Sequence, residues 1–268
     1  MKPVHQHLLP RCITAWVGIV LCVVLTPPIY ATSPPDSGSK PFIVACSIPP
    51  EHESHQPVVY AYRKMLEVHN FQLDMRSVPP ARSFHLLRHG QADAICLVSK
   101  LSLHRFDQQD GFSLNATLGQ SKINAWTLNP QVRLSQYMLD NITQLQIGYI
   151  KNHTADFFLQ RQGFVKGVAL KDVPMAAKMM ISGRLDAILM IETANYEQTL
   201  RYWLEKQQSG SSNPLRSHTI TSVDYVPYLH QRHKPLKHSL ESALSQIIAD
   251  NHGPISRSSI KFWLRNSH

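Results

Sequence analysis

For its length, the sequence has little charge, glycine or cysteine, and each shortage argues against a class of protein. Charged residues make up 17% of the 268 residues, below the roughly 25% of typical soluble domains, which argues against a charged disordered chain. Eleven glycines and 18 prolines are too few for a collagen or a low-complexity linker. Four cysteines exclude a small scaffold built on many disulfides. No segment of about 20–50 residues repeats, so a solenoid or propeller is not expected.

Long hydrophobic runs are also scarce, and the one that stands out lies at the N-terminus. Two basic residues precede Ile13–Leu25, an uncharged apolar run shorter than the ~20 residues needed to span a bilayer. Ala31 then offers a small residue at a cleavage point. We therefore predict a cleaved signal peptide over residues 1–31, a disordered lead-in over 32–40 and a periplasmic location. An uncleaved N-terminal anchor is the alternative.

The chain is basic, with 27 Lys and Arg against 18 Asp and Glu. Loss of the leader would leave 25 basic residues against the 18 acidic ones, a net charge of +7. A positive field of this size favours small anionic ligands. Nucleic acid is not an expected partner, because the basic residues are scattered and an exported protein meets little of it.

After the leader, strand and helix patterns alternate in two units of similar size. The first unit covers residues 42–98 and the second covers 145–191, and each reads strand, helix, strand, helix, strand. Further helices are predicted over 195–205, 236–250 and 259–264. A β-α-β-α-β order is typical of a parallel, doubly wound sheet.

We therefore predict an α/β fold with two doubly wound lobes and a cleft between them. Lobe 1 is expected to comprise residues 41–127 plus 223–268, and lobe 2 residues 128–222. Two crossings, near Trp126–Asn129 and Ser222–Tyr225, should join lobes whose sheets are separate. Ligands of such sheets bind beyond the carboxyl ends of the strands, so the segments that follow the strands are expected to face the cleft.

Two cysteines, Cys46 and Cys96, lie in the mature chain, each inside an apolar strand-like run. We expect these strands to be neighbours, and cysteines side by side on strands rarely meet disulfide geometry. The prediction is therefore two free, buried thiols that act as small hydrophobic residues. An oxidising compartment permits the alternative, a disulfide.

Several short motifs follow one another in a defined order. They are Ser47-Ile48-Pro49-Pro50, Val78-Pro79-Pro80-Ala81-Arg82, Gly90-Gln91-Ala92-Asp93-Ala94, Ser102-Leu103-His104-Arg105 with Phe112-Ser113, and Gly183-Arg184-Leu185-Asp186-Ala187. In this order, residues 41–268 resemble family 3 periplasmic solute-binding proteins, the receptors of ABC amino-acid importers. The resemblance implies the type 2 periplasmic-binding fold in a monomer without a cofactor. It also implies that an amino acid or related carboxylate is the ligand and an ABC permease the partner.

The resemblance further implies where a ligand binds. Arg105 matches the family arginine that clamps a ligand carboxylate, which a planar guanidinium grips through two charge-assisted hydrogen bonds. Ser102 matches a hydroxyl beside that clamp. Arg82 starts a helix at the edge of the lobe, and Thr154 lies at a helix N-terminus, where free N–H groups attract anions. The alternatives are a surface role for Arg105, a salt bridge within the lobe for Arg82 and a cap alone for Thr154.

The acid of the second lobe departs from the family pattern. The family places an Asp after the corresponding strand to bind the ligand's ammonium, but here that position is apolar and Glu192 lies one residue further on. Glu192 is the candidate replacement; if it does not serve, the ligand need not be an α-amino acid. Asp93 and Asp186 each follow a helix-ending glycine, and we predict structural roles for both.

Fifteen histidines raise the question of a metal site. The closest groupings are His52 with His55, His85 with His89, and His230 with His233. Each grouping lacks a third close ligand and no cysteine assists, so we predict solvated histidines and no metal.

The leading hypothesis is therefore a binding protein. The sequence contains no nucleophile elbow, Walker loop, metalloprotease motif or dinucleotide fingerprint, and an enzyme is not expected. A ligand sensor coupled to a membrane kinase or cyclase is the alternative on the same fold. A periplasmic enzyme with Glu192 as acid or base is a third hypothesis.

Overall fold

The computed structural model describes residues 39–106, 108–132, 145–151, 154–162, 167–207 and 214–266. The predicted signal peptide over 1–31 lies outside the described residues, and only the last two residues of the predicted lead-in lie inside them. Lys40 already belongs to the first strand. Within these ranges, no helix combines the length and the apolar character needed to cross a membrane.

The described residues form nine strands and seven α-helices. Three of the strands, over residues 111–113, 119–127 and 216–230, lie in segments for which no strand was predicted. The strands are β1 (Lys40–Cys46), β2 (Phe71–Ser77), β3 (Ala94–Ser99), β4 (Gly111–Ser113), β5 (Gly119–Thr127), β6 (Ile147–Ile150), β7 (Val168–Leu170), β8 (Ala187–Ile191) and β9 (Arg216–His230). The helices are α1 (His55–Glu67), α2 (Pro80–Arg88), α3 (Thr154–Arg161), α4 (Val173–Ile181), α5 (Ala194–Gln207), α6 (Lys237–Asp250) and α7 (Ile260–Asn266). Two 3₁₀ helices, Lys100–Arg105 and Gln231–Leu236, follow β3 and β9.

Both predicted β-α-β-α-β units are present, and they share one topology. In the first unit, β1 lies between β2 and β3 and runs parallel to both. In the second, β6 lies between β7 and β8 and again runs parallel to both. The predicted doubly wound α/β class is confirmed at this level.

A pair of antiparallel strands joins the two units in the middle of the sheet. β9 pairs with β3 in the first unit, β5 pairs with β8 in the second, and β5 and β9 pair with each other from Gly119 to Thr127. Hydrogen bonding therefore continues through the order β2-β1-β3-β9-β5-β8-β6-β7. The prediction of two separate sheets is wrong, because the crossing segments pair side by side as strands. The lobe boundaries at residues 127 and 223 fall at the end of β5 and within β9, and they stay a prediction.

Buried side chains gather in separate clusters on the two units. One cluster packs β1, α1, α6 and α7 around Tyr62 and Trp263. Another fills the space between α4 and α5 around Leu200. A third cluster includes Phe158 of α3, and Leu101 from the first 3₁₀ helix packs against it. This third contact brings the segment after β3 against α3, the helix that follows β6.

The prediction of free thiols is wrong, because Cys46 and Cys96 form a disulfide. β1 and β3 pair in parallel with Val44 opposite Ala94 and Ala45 opposite Ile95, which places the two cysteines opposite each other at the next position. Their Cα atoms are 4.9 Å apart, within the range of about 4.4–6.8 Å that a disulfide spans. The two strands are neighbours, as predicted, and their register brings the two cysteines close enough to bond.

Candidate functional site

The 3₁₀ helix after β3 is fixed by hydrogen bonds from its own serines. The Ser99 hydroxyl accepts from the backbone N–H of Leu101 at 3.2 Å, and the buried Ser102 hydroxyl donates to the Ser99 carbonyl at 2.8 Å. This turn presents Arg105 as its last residue. The Ser102 hydroxyl is committed to closing the turn, so its predicted ligand role depends on its remaining acceptor capacity.

Arg105 reaches from this turn to α3. Its guanidinium carbon lies 4.9 Å from the ring centroid of Phe157, a cation–π contact. The side chain is exposed, and no carboxylate pairs with it in the described parts of the chain. On another side it borders a cavity of about 180 Å³ that is lined also by Phe84, Leu87, Arg88, Phe106, Asp110 and Tyr228. Arg105 is therefore an accessible positive charge beside an aromatic ring.

Thr154 is the first residue of α3, and it is buried. Its hydroxyl lies 3.0 Å from the Tyr225 hydroxyl on β9. Burial raises the pKa of Tyr225 to about 12, despite the opposing hydrogen bond with Thr154, and the nearby Tyr196 phenol raises it further. The tyrosine therefore stays a neutral hydroxyl at any physiological pH. The Thr154 hydroxyl at the start of α3 therefore already has a hydrogen-bond partner.

Glu192, directly after β8, is paired. The Arg257 guanidinium donates to its carboxylate at 3.2 Å, with 18% of the Glu192 side chain exposed. The same guanidinium lies 3.6 Å from Glu197 on α5. The backbone N–H of Glu192 donates to the carbonyl of Lys122 at 2.6 Å, which fixes the end of β8 against β5.

Arg82 lies apart from these contacts. It is exposed on the first turn of α2, where its backbone N–H donates to the Pro79 carbonyl at 2.9 Å. Among the described residues its guanidinium has no salt bridge, which was the alternative role. The ligand roles of Arg105, Ser102, Arg82, Thr154 and Glu192 all stay predictions. The contacts link Arg105 and Thr154 through α3 and place Arg257 against Glu192.

Asp93 has the structural role predicted for it. It is buried and accepts from the backbone N–H of Ile43 at 2.7 Å. Arg232 donates to its other oxygen through two nitrogens, at 2.7 and 3.0 Å, and His233 lies 2.5 Å from the same oxygen. Burial alone would raise the pKa of Asp93, but the hydrogen bonds from His233, Ile43 and Arg232 outweigh it and hold this pKa below its ordinary value.

Three residues of the site were missed by sequence reasoning. Phe157 belongs to the apolar pattern of a helix, Tyr225 falls in a crossing segment, and Arg257 follows a turn near the C-terminus. None carries a local signal, because each acts on a residue far away in the chain. Among the histidines, His85 and His89 stack with ring centroids 4.0 Å apart. No group of three or more metal-ligand side chains occurs within the described ranges.

Comparison with known proteins shows the fold alone. No protein-family model and no curated protein matches the chain. Among solved structures, the Bacillus subtilis protein described as the probable amino-acid ABC transporter extracellular-binding protein ytmK is 10% identical. Its TM-score is 0.54 over 85% of this chain and 96% of that chain.

Two further similar structures are a transporter's binding protein and a sensor domain. A substrate-binding protein of an ABC uptake transporter from Streptococcus pneumoniae, with bound histidine, is 11% identical with a TM-score of 0.50, over 80% of this chain and 89% of that chain. A histidine kinase sensor domain with similarity to periplasmic binding proteins is also 11% identical, with a TM-score of 0.51 over 78% and 90%. The chain has the two-lobe fold of periplasmic binding proteins, which confirms the predicted fold class.

Proposed function

We propose that the chain is a periplasmic receptor that captures a small polar solute, an amino acid or a related carboxylate, for an ABC importer. The observation that carries the proposal is Arg105, an exposed guanidinium on a rigid turn after a strand. It faces the first turns of α3, where unpaired N–H groups and the helix dipole also favour an anion. A fold that receptors of importers share supports the same reading.

The proposal includes export by the predicted signal peptide, a monomeric receptor and an ABC permease as partner at the membrane. Capture and release need no covalent step, so we propose a non-enzymatic role. Turnover of candidate ligands by the purified protein would contradict this part of the proposal.

The test begins with a thermal-shift screen of residues 32–268 against amino acids, dicarboxylates, polyamines and peptides. A ligand that binds the folded state alone raises the melting temperature by mass action. Titration calorimetry then compares wild type with Arg105→Ala and Arg105→Lys. We expect the Ala variant to lose at least ~30-fold in affinity, because a charge-assisted bidentate pair in a cleft is worth roughly 2–5 kcal/mol on truncation. The Lys variant should recover part of the loss, since an ammonium lacks the planar fork.

The matched control is Arg76→Ala. Arg76 is an exposed arginine at the end of β2 that pairs with Asp74 at 2.6 Å, away from the 3₁₀ helix and α3. Its removal should leave affinity unchanged. Binding of the Arg105→Ala protein within about twofold of wild type would remove the arginine clamp, and with it the reason to name a carboxylate ligand.

A sensor is the second candidate, favoured by the similarity to a histidine kinase sensor domain. In that role, ligand-driven rearrangement of the lobes would signal to a membrane kinase or cyclase. Genes for a permease and an ATPase beside this gene would support the importer, and a gene for a kinase would support the sensor.

A further inference from the structure

The cavity beside Arg105 has a wall of aromatic side chains. Phe84 of α2 and Phe106, the residue after the first 3₁₀ helix, have ring centroids 4.4 Å apart. The Phe106 ring in turn lies 5.2 Å from that of Tyr228 on β9. Leu87 lines the same cavity. Together these four side chains form one continuous apolar wall.

This apolar wall is fixed from behind and open in front. Leu87 and Tyr228 are 2% and 4% exposed and pack against β3 in a buried cluster. Phe84 and Phe106 pack against the same cluster but stay partly exposed. The cavity therefore exists before any ligand binds, and a ligand that fills it would bury the remaining apolar surface of the two phenylalanines.

The polar side of the cavity carries a net positive charge. Its described lining includes two guanidinium groups and one carboxylate, and that carboxylate, Asp110, already accepts from Arg88 at 2.8 Å. Arg105 lies over the Phe157 ring, and no oxygen of the described residues accepts from its N–H groups. A cation–π contact does not use up the N–H donors of a guanidinium, so the planar fork of Arg105 remains available to a carboxylate.

The volume of the cavity limits what can lie against the apolar wall. It measures about 180 Å³, and an apolar cavity of about 150 Å³ admits one benzene ring. A ring placed there would pack against Phe84 and Phe106 and extend their aromatic contact. Because Arg105 lines the same cavity, a carboxylate joined to such a ring by a short linker can reach the guanidinium.

We infer that the ligand is a carboxylate that carries one compact apolar ring, with the ring in this cavity and the carboxylate on Arg105. The inference rests on the proposed receptor function and narrows its ligand class. Every described residue that lines the cavity lies in the predicted lobe 1, so the ring is selected there without Glu192. A ligand without a ring would leave the apolar wall exposed to water and gain less from binding.

The experiment measures the preference of residues 32–268 for a ligand with a ring. The probes are two matched pairs, phenylalanine with alanine and 3-phenylpropanoate with propanoate, so that the ring is tested with and without an amine. For each pair that binds, calorimetry should give at least about tenfold tighter binding of the ring compound by wild type, because a buried phenyl ring leaves water. In Phe84→Ala this affinity ratio should fall by about fivefold or more, since the ligand's ring loses one side of the wall. Phe84→Leu should keep part of the preference, because leucine restores apolar contact without the aromatic ring.

The control is Phe112→Ala. Phe112 on β4 is also partly buried, but it packs against the cluster around Tyr62 and Trp263 and does not line the cavity. Its affinity ratio should equal that of wild type. Each ratio is taken within one variant, so a loss of stability that weakens the binding of both probes equally cancels.

Equal affinities for the two members of a pair in wild type, or an unchanged ratio in Phe84→Ala, would overturn the inference. The receptor proposal would still stand if a carboxylate without a ring bound to wild type and lost affinity in Arg105→Ala. Failure of every carboxylate to bind, including those of the thermal-shift screen, would overturn both.

Discussion

The two β-α-β-α-β units build the same turn with the same residues. In each, a helix ends at a glycine with φ of +66°, Gly90 in the first unit and Gly183 in the second. Three residues later an aspartate exchanges hydrogen bonds with the neighbouring strand. Asp93 donates through its N–H to Ile43 and accepts from the Ile43 N–H. Asp186 does the same with Gln146.

Beyond this shared turn, the two units differ in the contacts that their residues make with distant parts of the chain. Asp93 is buried and held by Arg232 and His233, which come from the segment after β9. The Asp186 carboxylate is half-buried and accepts from a backbone group. The position of the Cys46–Cys96 disulfide corresponds to the pair Tyr149–Leu189 in the second unit. The two units thus share the same local turn but differ in their long-range contacts. The first unit is held by a disulfide and by side chains from the segment after β9, and the second unit lacks the counterparts of both at these positions.

The largest expected effect comes from removing the disulfide. Cys46→Ala with Cys96→Ala should lower the free energy of unfolding by about 2–5 kcal/mol, because the link closes a loop of 50 residues in the unfolded chain. Urea denaturation of the variant and of wild type measures the difference. The corresponding pair in the second unit, Tyr149 and Leu189, cannot form a disulfide. The expected loss of stability therefore comes from the first unit.

Wild type treated with reductant should match the double variant. An unchanged mass on reduction, where a disulfide adds two protons, would show free thiols and contradict the structure.

Substitution of the two aspartates, Asp93 and Asp186, is expected to lower the free energy of unfolding by a smaller amount. Asp93→Asn should cost about 2–3 kcal/mol, because it leaves Arg232 and His233 without their acceptor charge, although Arg232 is partly solvated. Asp186→Asn should cost less than about 1 kcal/mol, since the new amide oxygen still accepts from the Gln146 N–H. Denaturation at neutral pH compares the two variants directly, and equal losses would refute the proposed difference in anchoring.

The difference in stability between wild type and Asp93→Asn is expected to depend on pH. The pKa of folded Asp93 is lowered from its ordinary value of 3.8, so its contribution is complete above that pH and is lost as the pH falls through the lower, folded value. The stability gap between wild type and Asp93→Asn should therefore narrow in acid. A gap that stays constant through this range would assign the effect of the substitution to packing.

The smallest loss of stability is expected from substituting the two glycines, Gly90 and Gly183, and it should be similar in the two units. Gly90→Ala and Gly183→Ala each place a side chain in the left-handed region, at a cost of about 1–2 kcal/mol. A Cβ at Gly183 would meet nothing within 4 Å, and one at Gly90 would come no closer than 3.5 Å to Arg232. Thermal denaturation should give similar losses. A clearly larger loss at Gly90 would show that the Arg232 contact is too rigid to adjust.

Most of the fold could be predicted from sequence because its signals are local. The periodicity of Val58, Tyr62 and Met65 marks a buried helix face, and the apolar run Ala94–Val98 marks a strand covered on both sides. Strand register is not local. The strands of Cys46 and Cys96 are neighbours, as predicted, but side-by-side strand cysteines were expected not to meet disulfide geometry, and their register brings them close enough to bond. The crossing segments carry no local signal that β5 and β9 pair with each other.

The candidate site shows the same limit. Arg105 could be singled out because it stands in a short motif that follows a strand. Its neighbour Phe157 and the partner of Glu192, Arg257, are separated from their contacts by 52 and 65 residues of chain. Both contacts require the folded sheet to bring three segments together, so no pattern within a single segment indicates them.

The antiparallel pair β5 and β9 also has a mechanical consequence. Any opening of one half against the other has to bend and twist a two-stranded ribbon whose strands stay paired from Gly119 to Thr127. The pairing is irregular between Ile123 and Asn124, and irregularities of this kind locally disrupt the ladder and bend the strand. We therefore expect any relative motion of the two halves to be concentrated at this irregularity in the ribbon.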